Sequence, residues 1–379
     1  MADFVYSAFD FVDIMFLIIF GVIVSILQIY LATAIHELGC FVFGKLAGYS
    51  FVSFKMLMWV WFKEGGEIKS TKSNMIVTAQ CSMSPSKYSA EDIDKYKIVW
   101  YNLSGGIFNL IFAFVWCIGL ILIRSVATAI GGGYLSTRLM IVFITCIVAN
   151  IIIAIVNLAP IHFFGTPTPG CNVINALKSK EAKRGLYIMS FIDNELSKGK
   201  RYRDFAPELF EVSDNVDLNN YLVAGLVILE ACRLRDIGEY EKSFEQFSRL
   251  ESKQLPAMYS NTVKLELLYY HTVHNLNIEK AKAIYNDNSI QAVFQQVKLS
   301  QIDDYAWVLA AYEYFVLNDR ESALRIIEQA QKNIETLPNI GVRIMYKELL
   351  DKVAERIFTC RGGYHPPAVA NKSNINQIL

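Results

Sequence analysis

The sequence predicts a mainly α-helical, polytopic membrane protein with a small β-hairpin and a C-terminal helical array. Three observations carry that prediction: long charge-free apolar stretches in the first half, an aromatic-rich strand pattern that interrupts them, and a charged, weakly repetitive helical pattern in the second half. At 379 residues the chain is too long for one ordinary domain. The expected division is a membrane-embedded domain over 1–195, a cytoplasmic helical repeat domain over 205–357, and a tail over 361–379. The tail, with Gly362, Gly363, Pro366, Pro367 and several Asn, has the composition of a disordered segment.

A helix that crosses a bilayer needs about 20 apolar residues. Three stretches meet that length: 14–35, 102–123 (within Ile98–Ile123) and 139–161. Pro167, Pro169 and Gly170 exclude a simple helix directly beyond the third. Lysine and arginine bias sets the expected orientation. Eight lysines, Lys45 to Lys97, separate the first two spans, and Lys178, Lys180, Lys183 and Arg184 follow the third. The short link between spans two and three carries only Arg124 and Arg138, and no base precedes the first span. The N-terminus is therefore expected outside and the C-terminal half in the cytoplasm. Asp3, Asp10 and Asp13 stand where a cleaved signal would carry bases, so a retained anchor is expected.

Between the first two spans, Phe51–Phe62 is rich in aromatic and β-branched residues and runs into Lys63-Glu64-Gly65-Gly66-Glu67. This predicts a β-hairpin over about 51–80. In the second half, comparable turn-plus-helix segments begin at Asp236, His274 and Val316, each with a small residue at the same point. Their spacing of 38 and then 42 residues exceeds the tetratricopeptide period of 34, which predicts an irregular array of tetratricopeptide-like helical hairpins. A plain helical domain fits the same pattern. Such arrays present a concave surface to a protein partner. The 36 basic and 36 acidic residues cancel and form no basic stripe, which excludes a nucleic-acid partner. Seven cysteines lack the spacing of a disulfide framework.

The chemistry-bearing segment is His36-Glu37-Leu38-Gly39-Cys40, at the inner end of the first span. Ionisable residues at membrane depth mark a functional site. In the pattern His-Glu-x-x-His, two ligands four apart on one helix face hold zinc and the Glu acts as general base. Two further segments stand with it: Ser104-Gly105-Gly106-Ile107-Phe108-Asn109 and Asn157-Leu158-Ala159-Pro160, with Pro169-Gly170 shortly after.

On these segments the chain, from about Phe11 to Asn172, resembles the site-2 protease family of intramembrane zinc metalloproteases. The resemblance implies a three-helix core with a β-hairpin and a cytoplasm-facing site in a bacterial cytoplasmic membrane. It matches His36 to a zinc ligand, Glu37 to the general base, Gly105 and Asn109 to the second motif, and Asn157 and Pro160 to the third. It implies an intramembrane metallopeptidase that cleaves a membrane peptide or single-span membrane protein, with Asn109 contacting substrate. Cys40 stands where the second His belongs, and no carboxylate lies between Arg124 and Lys178 to supply the family's Asp. One reading is a rewired zinc site of His36, Cys40 and Cys171, with His162 a further candidate ligand; imidazole plus two thiolates leaves a fourth position for water. A second is an inactive scaffold that binds membrane helices or peptides and meets partners through its array, with the cysteines as fillers or a disulfide. A third takes the two cysteines as introduced to cross-link or disable a protease.

Overall fold

The computed structural model describes residues 2–64, 67–129, 134–163, 165–213, 215–300, 305–337 and 339–359. The Gly65-Gly66 turn and the tail expected to be disordered lie outside them. The chain is mainly helical, as expected. It opens with α1 (Ala2–Leu46), the hairpin strands β1 (Tyr49–Glu64) and β2 (Glu67–Pro85), α2 (Ala90–Asp94), α3 (Lys97–Ala129) and α4 (Tyr134–Leu158). A two-residue-strand hairpin, β3 (His162–Phe163) with β4 (Thr166–Pro167), leads to α5 (Pro169–Ala176) and α6 (Lys180–Ser197). The remainder comprises α7 (Tyr221–Asp236), α8 (Tyr240–Ser248), α9 (Ala257–Tyr269), α10 (Ile278–Tyr285), α11 (Asn288–Ser300), α12 (Ala306–Phe315), α13 (Arg320–Asn333) and α14 (Ile340–Thr359).

Among the described residues, three helical stretches are long and apolar enough to cross a membrane: Phe11–Leu46, Lys97–Val126 and Thr137–Leu158. Phe16, Ile121 and Leu122 stand exposed on them, as side chains that face lipid do. The first two predicted spans lie within longer helices, whereas the third, 139–161, overruns the end of α4 at Leu158 by three residues. Lys45 and Lys97 sit at helix ends, where a long charged side chain reaches the interface without breaking the helix. α1 continues unbroken through the His36–Cys40 segment, so His36 and Cys40 stand on one face.

The hairpin pairs from Tyr49↔Pro85 to Glu64↔Glu67 and is longer at its base than the expected 51–80, with three register irregularities between Phe51 and Trp59. As the prolines predict, no simple helix continues beyond α4; Pro169 instead opens the separate helix α5. It occupies the first turn of α5, where its missing N–H costs nothing, and Thr168 caps the helix by accepting from the Cys171 N–H at 3.3 Å.

One apolar core joins the hairpin base to the start of α3 and to α5, α6 and α7: Tyr49, Met83, Ile98, Val173, Tyr187 and Leu222 are all buried in it. Polar bonds follow the same route. Asn194 of α6 accepts from Ser50 Oγ at 3.2 Å and donates to the Pro85 carbonyl at 3.0 Å, and the Tyr187 hydroxyl donates to the Lys87 carbonyl at 2.9 Å.

The three segments that looked alike in sequence fold alike. α7/α8, α9/α10 and α12/α13 are consecutive helix pairs, and the shared small residues Ser243, Ala281 and Ala323 are all buried. Ser243 Oγ donates to the Ala231 carbonyl across the first of these pairs at 2.8 Å.

Candidate functional site

Burying an imidazole and two carboxamides among apolar helices requires that they satisfy one another. His36 of α1, Asn109 of α3 and Asn150 of α4 do this in a single cluster, and all three are buried. The Asn109 amide nitrogen donates to the Ala32 carbonyl at 2.8 Å and to Asn150 Oδ1 at 2.9 Å. With its nitrogen so occupied, Asn109 meets His36 through Oδ1, which only accepts; His36 Nδ1 therefore donates to it, at 3.1 Å. Asn150 closes the chain by donating to the Cys146 carbonyl at 2.9 Å. One turn outward, Cys146 donates to Gln28 Oε1.

The His36 ring lies flat against α3. A Cβ on Gly105 would come within 2.4 Å of Nε2 and 2.3 Å of Cε1, so only glycine permits the approach. Cys40, one turn along α1, faces the Ser104 hydroxyl and the Gly105 amide. The small residues of the Ser104-Gly105-Gly106 segment thus let α1 and α3 close on each other, as small residues do between membrane helices.

Glu37 faces the other way, toward the hairpin. Its carboxylate accepts from the Cys81 N–H of β2. The Tyr101 hydroxyl of α3 accepts from the Met83 N–H at 3.0 Å and donates to the Cys81 carbonyl at 3.4 Å. Together they dock the base of β2 on the helices. Cys81 is a site residue that sequence reading missed, because it lies 44 positions from Glu37 in a strand with no motif. Burial, and then the Glu37 carboxylate, pushes its thiol up to about 12, which keeps it protonated near neutral pH.

His36, Cys40 and Cys171 are not gathered as a ligand set: among the described residues, no three His, Cys, Asp or Glu side chains form a group that could hold a metal ion. Cys171 is buried beneath α7, where its sulfur accepts from Asn175 Nδ2 at 3.4 Å and lies in hydrogen-bond contact with the Tyr221 hydroxyl. The physical reason is the close seat of α5. A Cβ on Gly170 would stand 2.0 Å from the Leu158 carbonyl oxygen, so the helix start is held against the end of α4 and the next side chain turns into the array-side core. His162 is exposed on β3 and meets Tyr221 edge-on, with ring centroids 6.4 Å apart. Asn109, expected to contact substrate, has its donors and its oxygen all engaged inside the bundle. It fastens three helices. Cys40 and Cys171 are free thiols, which also removes the disulfide reading.

Of the third motif, Asn157 bonds back within its own helix to the Ile153 carbonyl at 2.9 Å. The residue that works there instead is Asn172. It donates to Asn102 Oδ1 of α3 at 3.3 Å and accepts from the Tyr221 hydroxyl of α7 at 2.7 Å, bridging a membrane-length helix to the array.

Zinc, which the family resemblance implies, does not fit these residues. Among the described residues no three His, Cys, Asp or Glu side chains come together to hold it, Cys171 is in contact with Tyr221 of α7, and Glu37 holds a strand amide. No family model, curated protein or solved structure matches the chain.

Proposed function

We propose that the chain is a site-2-protease-like scaffold of a bacterial cytoplasmic membrane that has given up the zinc centre. It binds a membrane peptide or single-span membrane protein and meets a protein partner through a tetratricopeptide-like array. In this reading three helices span the bilayer, with the N-terminus outside and the array in the cytoplasm, as the lysine distribution requires. The observation that carries the proposal is the engagement of Glu37. The carboxylate that a metallopeptidase of this layout would use to take a proton from water instead accepts a backbone N–H of β2.

The hairpin is the surface for the membrane ligand. β1 pairs only with β2 among the described strands, and Leu57, Met58 and Trp59 stand exposed along it. An extended segment added at that edge would gain main-chain hydrogen bonds without needing any catalytic group.

The test places a photo-crosslinking residue at Met58 in protein reconstituted into nanodiscs with a panel of single-span peptides. Capture of a peptide, unchanged by Glu37→Gln and without any cleavage product, is the expected result. Cleavage that Glu37→Gln abolishes would overturn the scaffold reading in favour of an intramembrane peptidase.

A further inference from the structure

A cavity of about 260 Å³ opens within the helical array between α7, α9 and α14. Across its wall runs an ion pair, Arg235 of α7 with Glu266 of α9, whose side chains are 6% and 4% exposed. The guanidinium lies over the Trp307 ring, 5.1 Å from its centroid, which fixes its plane. Tyr202, Tyr259 and Tyr305 complete the polar side of the wall, and Met345 with Val342 the apolar side.

A guanidinium offers five N–H donors and a carboxylate two acceptor oxygens. Within this pair only Arg235 Nη1 and Glu266 Oε1 are joined. Among the described residues, the remaining donors of Arg235, the second oxygen of Glu266 and the Tyr202 hydroxyl have no hydrogen-bond partner, and all three side chains line the cavity. By contrast, Tyr305 donates to Thr262 at 3.3 Å and Tyr259 contacts the Met189 sulfur at 3.8 Å. Polar atoms of the lining that are open toward a cavity are available to a ligand that fits it.

The pair is neutral overall, and this selects the ligand class. An anion would meet Glu266 and a cation would meet Arg235, each losing its hydration without a net counter-charge. What complements a donor beside an acceptor is an acceptor beside a donor in one plane: the C=O and N–H of an amide. The volume lies just below the range of drug-sized sites, room for one or two residues of an extended chain. We infer that this cavity binds a backbone amide of a short peptide segment, with its carbonyl on Arg235, its N–H on Glu266 and its apolar side chain toward Val342 and Met345. The inference deepens the partner role proposed for the array and rests on it.

Isothermal titration of the full chain in nanodiscs tests the inference, with N-acetyl-leucine amide and N-acetyl-phenylalanine amide as probes. Phenylacetate and phenethylamine serve as charged controls that lack an amide. Saturable binding of the amides is expected, with both controls weaker by about tenfold or more. Arg235→Met with Glu266→Leu replaces the pair together, which buried pairs tolerate, and should abolish binding while cooperative unfolding persists. Tyr202→Phe should weaken binding several-fold. Charged controls that bind as well as the amides, amides that bind the double variant unchanged, or no amide binding at all would overturn the inference. A protein partner captured equally by wild type and double variant would overturn the cavity alone and leave the array's partner role standing.

Discussion

Two buried polar clusters of this chain answer the same problem with different chemistry. Among α1, α3 and α4 the cluster is built around two carboxamides: Asn109 ties His36, the Ala32 carbonyl and Asn150 with bonds of 2.8–3.1 Å. Between α7 and α9 it is an ion pair, Arg235 with Glu266, extended at the end of α7 by Asp236 with Arg201 and Arg203. Helices in lipid gain little from burying apolar surface against one another, so their register depends on small-residue contacts and side-chain hydrogen bonds. In the proposed topology the array folds in water, where stability comes mainly from apolar burial and full charges can be kept inside provided each has its partner. The bundle's polar groups therefore fasten helices, whereas the array's hold charge in reserve at a cavity wall.

The largest effect expected from this contrast is in the array. Glu266→Leu alone leaves Arg235 buried and unpaired and should destabilise by about 3–5 kcal/mol, while the paired replacement with Arg235→Met should recover most of that loss. Thermal unfolding in nanodiscs checks both; equal losses for single and double variants would break the distinction. Next, Gly105→Val pushes a side chain into the His36 ring and should cost about 1–3 kcal/mol as overpacking. Asn109→Leu, which removes the centre of the bundle cluster, should cost no more than about 1–2 kcal/mol because membrane helices find alternative partners when one bond is lost. A loss as large as that of Glu266→Leu would show that the bundle cluster is as critical as the ion pair.

The smallest effect separates the regions by pH. The bond to Lys352, with Arg201 assisting, holds the Glu348 carboxyl at about 2 instead of its ordinary 4.5. Asp236 is also held low, because its bonds to Arg203 and Arg201 outweigh its burial. A carboxyl held low stabilises the fold above its unfolded value and loses that contribution as pH falls toward the folded one. The contact of the Tyr202–Asp204 turn with α14 should therefore loosen between about pH 4.5 and about pH 2, modestly, since Glu348 is 33% exposed and screened by water. Hydrogen exchange in α14 that rises over that interval confirms the prediction, and exchange that stays flat contradicts it.

The contrast also marks what could be read from the chain before its structure. The membrane-length helices were legible because a bilayer demands an unmistakable run of apolar residues, and the hairpin because its aromatic strand ends in adjacent glycines. The helical pairs of the array were legible through Ser243, Ala281 and Ala323, small residues that recur at the same point and are buried in each pair. The ends of α1 and α3 were not, since Lys45 and Lys97 look like span boundaries yet cost a helix end little. Nor was the direction of Cys171. Sequence places it beside a motif position, but the contact of Gly170 with the Leu158 carbonyl turns it toward Tyr221. The Arg235–Glu266 pair joins residues 31 apart on two helices and has no local signature. The same holds for the seating of Glu37 on the Cys81 amide, which converts a residue that looks like a general base into a strand anchor.

The most direct test of the account is the metal content of the purified full-length protein after incubation with zinc, for wild type, Cys40→Ser and Cys171→Ser. His36 fastened to Asn109 and Cys171 turned toward α7 predict substoichiometric zinc, the same in all three. One zinc per chain in the wild type, lost on Cys171→Ser, would contradict it.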